Sequence, residues 1–303
     1  MSDQTMMWLG FAILMTTMFI LDLGVFSRKS HEIRFREAMI WTLVWVSLAF
    51  AFNVWIYLNM GPTKALEFFT GYLIEESLSV DNLFVFILIF NYFNVDKAHQ
   101  PKILKWGIIG ALVMRGIFIF VGIGLIERFH WMVYAFGGLL LFTGIRMAFD
   151  REQEIDPEKN PLVRLVGRFL PIAKNVQGDR FFIREKGKLV ATPLFLALLV
   201  VESTDVIFAV DSIPAVLAVT TDPFIVYTSN VFAIMGLRSL YYLLANILAM
   251  FVYLKLGISF ILSFVGVKML IADFYPIPIY FSLGVIVGVL AIAVITSVTI
   301  GKR

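Results

Sequence analysis

A chain of 303 residues of which 60% are apolar (Ala, Val, Ile, Leu, Met, Phe, Trp, Tyr) and only 16% are charged lies far from a soluble domain, which runs near 45–50% apolar and about 25% charged. With a mean hydropathy of +0.87 lipid must be the solvent for most of it, so the chain reads as an integral membrane protein. The absence of cysteine excludes disulfides, thiolate metal sites and thiol chemistry, and the net charge of +3 is no nucleic-acid signal, because its basic residues sort by membrane side.

A bilayer core about 30 Å thick needs roughly 20 helical residues. Nine segments reach that length: about 6–26, 38–58, 68–94, 103–126, 129–149, 190–216, 224–252, 256–273 and 278–300. The first follows MSDQT, which lacks the basic region of a cleaved signal peptide, and so reads as a retained span. The third, TGYLIEESLSVDNLFVFILIF, carries Glu75, Glu76, Asp81 and Asn82. The fourth and fifth contain Arg115 and Arg146. Residues 150–189 form a polar connection in which DREQEIDPEKNP has the composition of a linker. There, RFFIREKGKLVAT reads as a small hairpin about Lys186-Gly187. The sixth span, LLVVESTDVIFAVDSIPAV, carries Glu202, Asp205 and Asp211; Arg238 lies in the seventh and Lys268 in the eighth. His31, His99 and His130 all fall at or beyond span ends.

Lys and Arg orient these spans. With the N-terminus outside, the cytoplasmic segments hold nineteen, including Arg28, Lys29, Arg34, Arg36, Lys97, Lys102, Lys105, nine in 150–189, Lys255, Lys302 and Arg303. The outer loops hold two, Lys64 and Arg128. The expected fold is an all-α polytopic bundle, N-out and C-in, making one transmembrane domain over 1–303 with 150–189 as a cytoplasmic loop.

Ionisable groups where lipid is expected are the informative residues. An Asp at a helix centre costs roughly 2.5–3.5 kcal/mol on insertion scales, so such groups face a bundle interior or a wet cavity, pair, and mark ion paths. The spans contain Asp22, Glu75, Glu76, Asp81, Glu202, Asp205 and Asp211 against Arg115, Arg146, Arg238 and Lys268, an excess of three negative charges. Structural ion pairing alone leaves that excess unexplained. Protons, raised pKa values or a bound cation would absorb it.

A short repeat falls on the same two spans: Ser79-Val80-Asp81-Asn82-Leu83-Phe84 matches Ser203-Thr204-Asp205-Val206-Ile207-Phe208. Span three runs inward and span six outward, so the repeats, centred on 68–94 and 190–216, are inverted, an architecture of secondary transporters with a site near the midplane. At 100° per residue Glu75 shares a face with Asn82 and Glu202 with Asp205, whereas Asp81 and Asp211 each lie about 120° away from those faces. Pro214 either kinks span six beside Asp211, releasing the carbonyl of residue 210, or marks its end. The available ligands are the carboxylates, the Asn82 amide oxygen, the hydroxyls of Ser77, Ser79, Ser203 and Thr204, and carbonyl oxygens. Such all-oxygen sets suit magnesium, calcium and manganese and argue against zinc and copper.

The segments Glu75-x-Ser77-Leu78-Ser79-Val80-Asp81-Asn82 and Glu202-x-Thr204-Asp205-x-Ile207-Phe208-Ala209-x-Asp211-Ser212-Ile213-Pro214-Ala215 resemble the two signature segments of the TerC family. The likeness runs from Asp22-Leu23 through Arg115 and Arg238 to Lys268-Met269-Leu270-Ile271-x-Asp273-Phe274-Tyr275, and the whole chain is similar to the Alx-like members. The resemblance implies a multi-pass protein of the bacterial inner membrane, in a family named for tellurium resistance, with Alx-like members linked to manganese export and alkaline pH. It also implies kinship with a broader superfamily of cation and amino-acid exporters.

The expectation is therefore a secondary transporter exporting manganese(II), with protons as the counter-ion. Glu75, Asp81, Asn82, Glu202, Asp205 and Asp211 would hold the metal, supported by Ser79, Ser203 and Thr204, while Arg115 and Arg238 balance charge. Calcium is the rival ion, and an accessory protein supplying manganese to secreted proteins beside the translocon is the rival role. No catalytic residues and no cofactor are expected, since H-E-x-x-H, a Ser/His pair, Walker A and the Rossmann glycine pattern are all missing. Beyond ion, proton and lipid bilayer, a homo-oligomer or a translocon association is left open.

Overall fold

A computed structural model describes residues 3–26, 35–149, 161–173, 180–185, 187–245 and 253–300. Among the described residues ten helices and one hairpin make up the fold. They are α1 (Asp3–Phe26), α2 (Phe35–Met60), α3 (Pro62–Tyr92), α4 (Gln100–Arg128), α5 (Met132–Phe149), α6 (Pro161–Phe169), β1 (Phe182–Glu185), β2 (Lys188–Ala191), α7 (Pro193–Leu217), α8 (Pro223–Leu244), α9 (Leu254–Leu270) and α10 (Ile279–Ile300). Among the described residues each expected span coincides with a helix, the seventh as far as Leu244, and the secondary structure is all-α apart from the hairpin. Among the described residues five helices, α2, α4, α5, α7 and α10, are long and apolar enough to cross a membrane by length and composition. The acids interrupt α3, and α9 has only 17 residues. The basic residues Arg28, Lys29, Arg34, Lys302 and Arg303, the DREQEIDPEKN linker, Lys186 of the expected turn and the stretch 246–252 of the seventh expected span lie outside the described residues.

Local sequence sets the helix boundaries. Proline stands in the first turn of α3, α4, α7 and α8, where its missing N–H has no helical partner to lose. Asp222 caps α8, its Oδ1 accepting from Phe224 N at 3.0 Å. Gly61 joins α2 to α3 in a single residue at φ +91°, a conformation that glycine adopts without a Cβ penalty. In the hairpin Phe182 pairs with Ala191 and Glu185 with Lys188, antiparallel, and Gly187 takes φ +79°. The short α6 (PLVRLVGRF), within what reads as polar connection, packs against α7.

The packing has two centres. In the first, α3 lies beside α8 and α4 beside α7, with α2 covering α8 and α3. Gly71 approaches Ser229 and Val216, and Gly107 and Gly122 approach Val201 and Leu217. The two α4–α7 contacts rise together along both helices, so these are parallel, and so are α3 and α8, where Gly71–Ser229 is followed by Phe90–Tyr241. An aromatic cluster of Phe11, Phe52, Phe68, Phe224 and Phe232 ties α1, α2, α3 and α8 together, with the Phe52 and Phe232 ring centroids 5.0 Å apart. In the second, α5 and α9 pack closely and antiparallel, Gly137 against Gly266 and Gly144 against Ser259, and α10 covers α9. Small residues at such crossings let backbones approach where lipid supplies no hydrophobic drive. Outward positions such as Ile13, Leu58, Phe142 and Ile292 are exposed and apolar, the surface that a lipid solvent requires.

Candidate functional site

The first packing centre encloses a charged core. Arg115, at the middle of α4, is 2% exposed, Glu75 of α3 is fully buried and Asp205 of α7 is 4% exposed. Asp205 is twelve residues from each end of α7, about 18 Å by helical rise. Arg115 Nη1 contacts Glu75 Oε1, and Nη2 stands 3.6 Å from Asp205 Oδ1. Nη1 also donates to Ser212 Oγ at 3.3 Å and to Asn230 Oδ1 at 3.1 Å. Four helices thus converge on one guanidinium, which explains why so costly a residue stays in the interior.

The core is incompletely satisfied. Among the described residues, neither Asp205 oxygen nor Glu75 Oε2 has a hydrogen-bond donor, and Arg115 Nε has no acceptor. A buried carboxylate without donors is costly, so these oxygens are where a proton or cation gains most. Beside them Glu202, three residues before Asp205 and electrostatically coupled to it, lays its carboxylate over Gly110 of α4. Any Cβ at Gly110 would collide with it.

The other expected ligands lie elsewhere. Asp211, six residues beyond Asp205, accepts from Thr143 Oγ1 of α5 at 3.0 Å, with Arg146 nearby. Asp81, six residues beyond Glu75, lies in the field of Lys255 at the start of α9. The 120° offset read from the sequence accounts for both: each points out of the core, toward the α5/α9 pair. Asn82 and Ser79 are buried on α3, and Arg238 is buried on α8 beside Tyr242. The Ser203 hydroxyl donates to Val200 O at 2.9 Å and the Thr204 hydroxyl to Val201 O at 2.8 Å, both within their own helix. Among the described residues no three His, Asp or Glu side chains come together to hold a metal. The six-residue set is therefore divided between the core and the seams around it. The helix α7 runs through Pro214 to Leu217, so the proline sits in its last turn. The side chain of Asp22 lies outside the described residues.

Two features were missed by reasoning from charge alone. Asn230 and Ser212 hold the guanidinium but carry no charge; the Thr228-Ser229-Asn230 run inside an apolar span is the only signal of the first. At the face shared by the starts of α3 and α8, Lys64 Nζ bridges Glu67 Oε2 and Asp222 Oδ2, each at 2.9 Å, and Thr220 Oγ1 donates to Glu67 at 2.7 Å. These groups line an open cavity of about 620 Å³. On the same face, in the loop 271–278, Asp273 accepts from Tyr134 OH at 2.6 Å and lies 3.0 Å from His130 Nε2. The Tyr134 hydroxyl foremost, and then His130, hold its carboxyl below the usual carboxylate range.

A family model described as integral membrane protein TerC family matches residues 60–303. An uncharacterized membrane protein of Myxococcus xanthus is 49% identical over 96% of this chain and 91% of its own length. A proposed membrane-bound redox modulator, Alx, of Escherichia coli strain K12 is 48% identical over 98% of this chain and 96% of its own length. An uncharacterized membrane protein of Rickettsia bellii is 37% identical over 97% of each chain. No solved structure matches the chain.

Proposed function

The chain belongs to the TerC family of integral membrane proteins, and from that premise we propose that it is a secondary transporter that exports manganese(II) across the bacterial inner membrane in exchange for protons. The observation that carries this reading is the mid-membrane core, where Asp205 is buried at the centre of α7 with both oxygens lacking hydrogen-bond donors. The Arg115 guanidinium beside it is shared with Glu75, so two buried carboxylates face one cation, and a proton or a bound ion would offset the charge left over. The ion site is drawn from the acids of α3 and α7 with Asp205 at its centre, and Asp81 and Asp211 extend the polar path along the seams to α9 and α5.

The arrangement of α3–α4 and α7–α8 favours an inverted-repeat mechanism. Each helix of one pair lies parallel to the non-equivalent helix of the other. The spacing from Asp81 to Arg115 nearly equals that from Asp205 to Arg238, which extends the S-x-D repeat into the following helix. Alternating access then rocks one repeat against the other around the core. The all-oxygen donors suit manganese, with calcium as rival.

The relative's redox name supplies a second reading, a modulator rather than a carrier. With no cysteine this chain cannot act by thiol exchange, so a redox effect would run through metal or proton traffic. Manganese flux into inverted membrane vesicles under an imposed pH gradient tests the proposal, wild type beside Asp205→Asn. Inward flux that collapses with the gradient and with the substitution is the expected result. No flux of manganese, calcium or magnesium through folded protein would favour the accessory role in manganese delivery.

A further inference from the structure

Nothing in the proposed transport cycle uses α6 or the hairpin, yet their outward faces share one composition. On α6, Val163 packs against the apolar cluster that contains Leu104 and Leu194. Arg164, Leu165 and Arg168 lie about 100–160° around the helix from it, and all three are exposed, Leu165 by 49%. On the hairpin, Arg184 and Leu189 are register partners and so share a face. Both are exposed, Leu189 by 48%, whereas Val190 on the other face is buried. Arg180 and Lys188 are exposed as well, and among the described residues of 161–192 Glu185 is the only acid.

Both pieces are fixed at the membrane edge. Thr192, the residue before α7, donates from its backbone N and from Oγ1 to Phe181 O, each at 3.0 Å, and Oγ1 reaches Arg180 O at 2.8 Å. On the other side of β2, Ala191 N donates to Pro171 O and Ala173 N to Ala191 O, each at 2.9 Å, and Ile172 packs at Gly167 of α6. Lys102 Nζ, in the first turn of α4, stands 4.9 Å from the centre of the Phe181 ring. Asp205 marks the middle of α7, so the start of that helix is about 18 Å from its centre by helical rise. With that centre at the midplane, the hydrocarbon ends at about 15 Å and the headgroups at about 20–22 Å. The hairpin and α6 therefore lie at headgroup depth.

A face turned to bulk water gains nothing from two half-exposed leucines, and a face turned to lipid tails has no place for arginine. The headgroup layer accommodates both. From this we infer that α6 and the hairpin form a lipid-binding surface for acidic phospholipids. The guanidinium groups of Arg164, Arg168 and Arg184 take the headgroup phosphates, which their forked donors fit, while Leu165 and Leu189 reach the acyl boundary. Thr192 fastens this surface to α7, so bound lipid braces the helix that carries Asp205. The inference is independent of the transport reading and stands whether or not the chain carries an ion.

Thermal unfolding of the purified chain in a neutral detergent, with phosphatidylglycerol or phosphatidylcholine added, tests the charge. Phosphatidylglycerol should raise the midpoint more than phosphatidylcholine does; equal responses would overturn the inference. The triple variant Arg164→Gln, Arg168→Gln and Arg184→Gln should need about tenfold more phosphatidylglycerol for the same rise, while its midpoint in phosphatidylcholine matches wild type. An undiminished response of that variant would overturn the assignment, as would an equal rise with inorganic phosphate, which would reduce the surface to an anion site. Depth is read separately by a spin label on Leu165→Cys or Leu189→Cys, in a chain with no other thiol. In vesicles of equal parts phosphatidylglycerol and phosphatidylcholine both labels should be shielded from a water-soluble nickel chelate and remain open to oxygen. Full access of the chelate to both would place the surface in water, leave it to a soluble acidic partner such as RNA or protein, and overturn the inference.

Discussion

Asn230 uses both ends of its amide: Oδ1 accepts from Arg115 at 3.1 Å, and Nδ2 donates to Val226 O at 3.1 Å within α8. The second bond fixes the orientation that makes the first possible. Asn230→Ala leaves a buried, charged donor with one acceptor fewer, which should cost about 1–3 kcal/mol and lower the unfolding midpoint in detergent. An unchanged midpoint would mean that Ser212 and Glu75 hold Arg115 unaided. Asp273 presents the opposite case, an exposed carboxylate tied between the α4–α5 and α9–α10 connections. Its pKa is depressed on folding by the Tyr134 hydroxyl and His130, so its contribution is present above the unfolded value and is lost as pH falls through the folded one. Solvent screening keeps that contribution small. Wild type and Tyr134→Phe should therefore differ in unfolding midpoint at neutral pH and converge in acid. A gap that persists below the carboxylate range would assign the Tyr134 effect to something other than Asp273.

At the scale of helices, the α5–α9 pair depends on missing side chains. A Cβ at Gly266 would lie 2.6 Å from Leu141 N and 2.8 Å from Gly137 O. Both are backbone atoms, so relief requires the helices to separate. Gly266→Ala should destabilise by about 1–3 kcal/mol, as overpacking does, whereas Gly288→Ala on α10, with nothing within 4 Å, should be neutral or slightly stabilising through helix propensity. Thermal unfolding of the two variants side by side decides it; equal midpoints would mean that α5 and α9 are not held by close approach. Helix positions are legible in the sequence because twenty consecutive apolar residues have few other uses. The α6 segment is not, because a nine-residue amphipathic turn following a polar stretch has the composition of a loop. The acids of the core are legible for the same reason as the helices, namely their cost in lipid. Their division is only half legible: helical geometry separates Asp81 and Asp211 from Glu75 and Asp205, but not that Thr143 and Lys255 await them. Asn230, uncharged, escapes an argument built on charge.

At the scale of the molecule, contacts between connections fix which ends share a face. Lys64 at the start of α3 meets Asp222 before α8, and His130 between α4 and α5 meets Asp273 between α9 and α10. Residue 61 and the connections 129–131, 218–222 and 271–278 hold no Lys or Arg, while the opposite face carries Lys97 and the basic hairpin segment with Arg180, Arg184 and Lys188. The positive-inside rule predicts a cytoplasmic hairpin side and, with it, an outer N-terminus. Because the chain has no cysteine, one introduced thiol reports one position without background. Trp131→Cys, at an exposed site, should react with a membrane-impermeant maleimide on intact cells. Lys188→Cys, exposed on β2, should react only after permeabilisation. The reverse pattern would turn the bundle over and with it the direction of the proposed exchange, so that the same proton gradient would drive import instead of export.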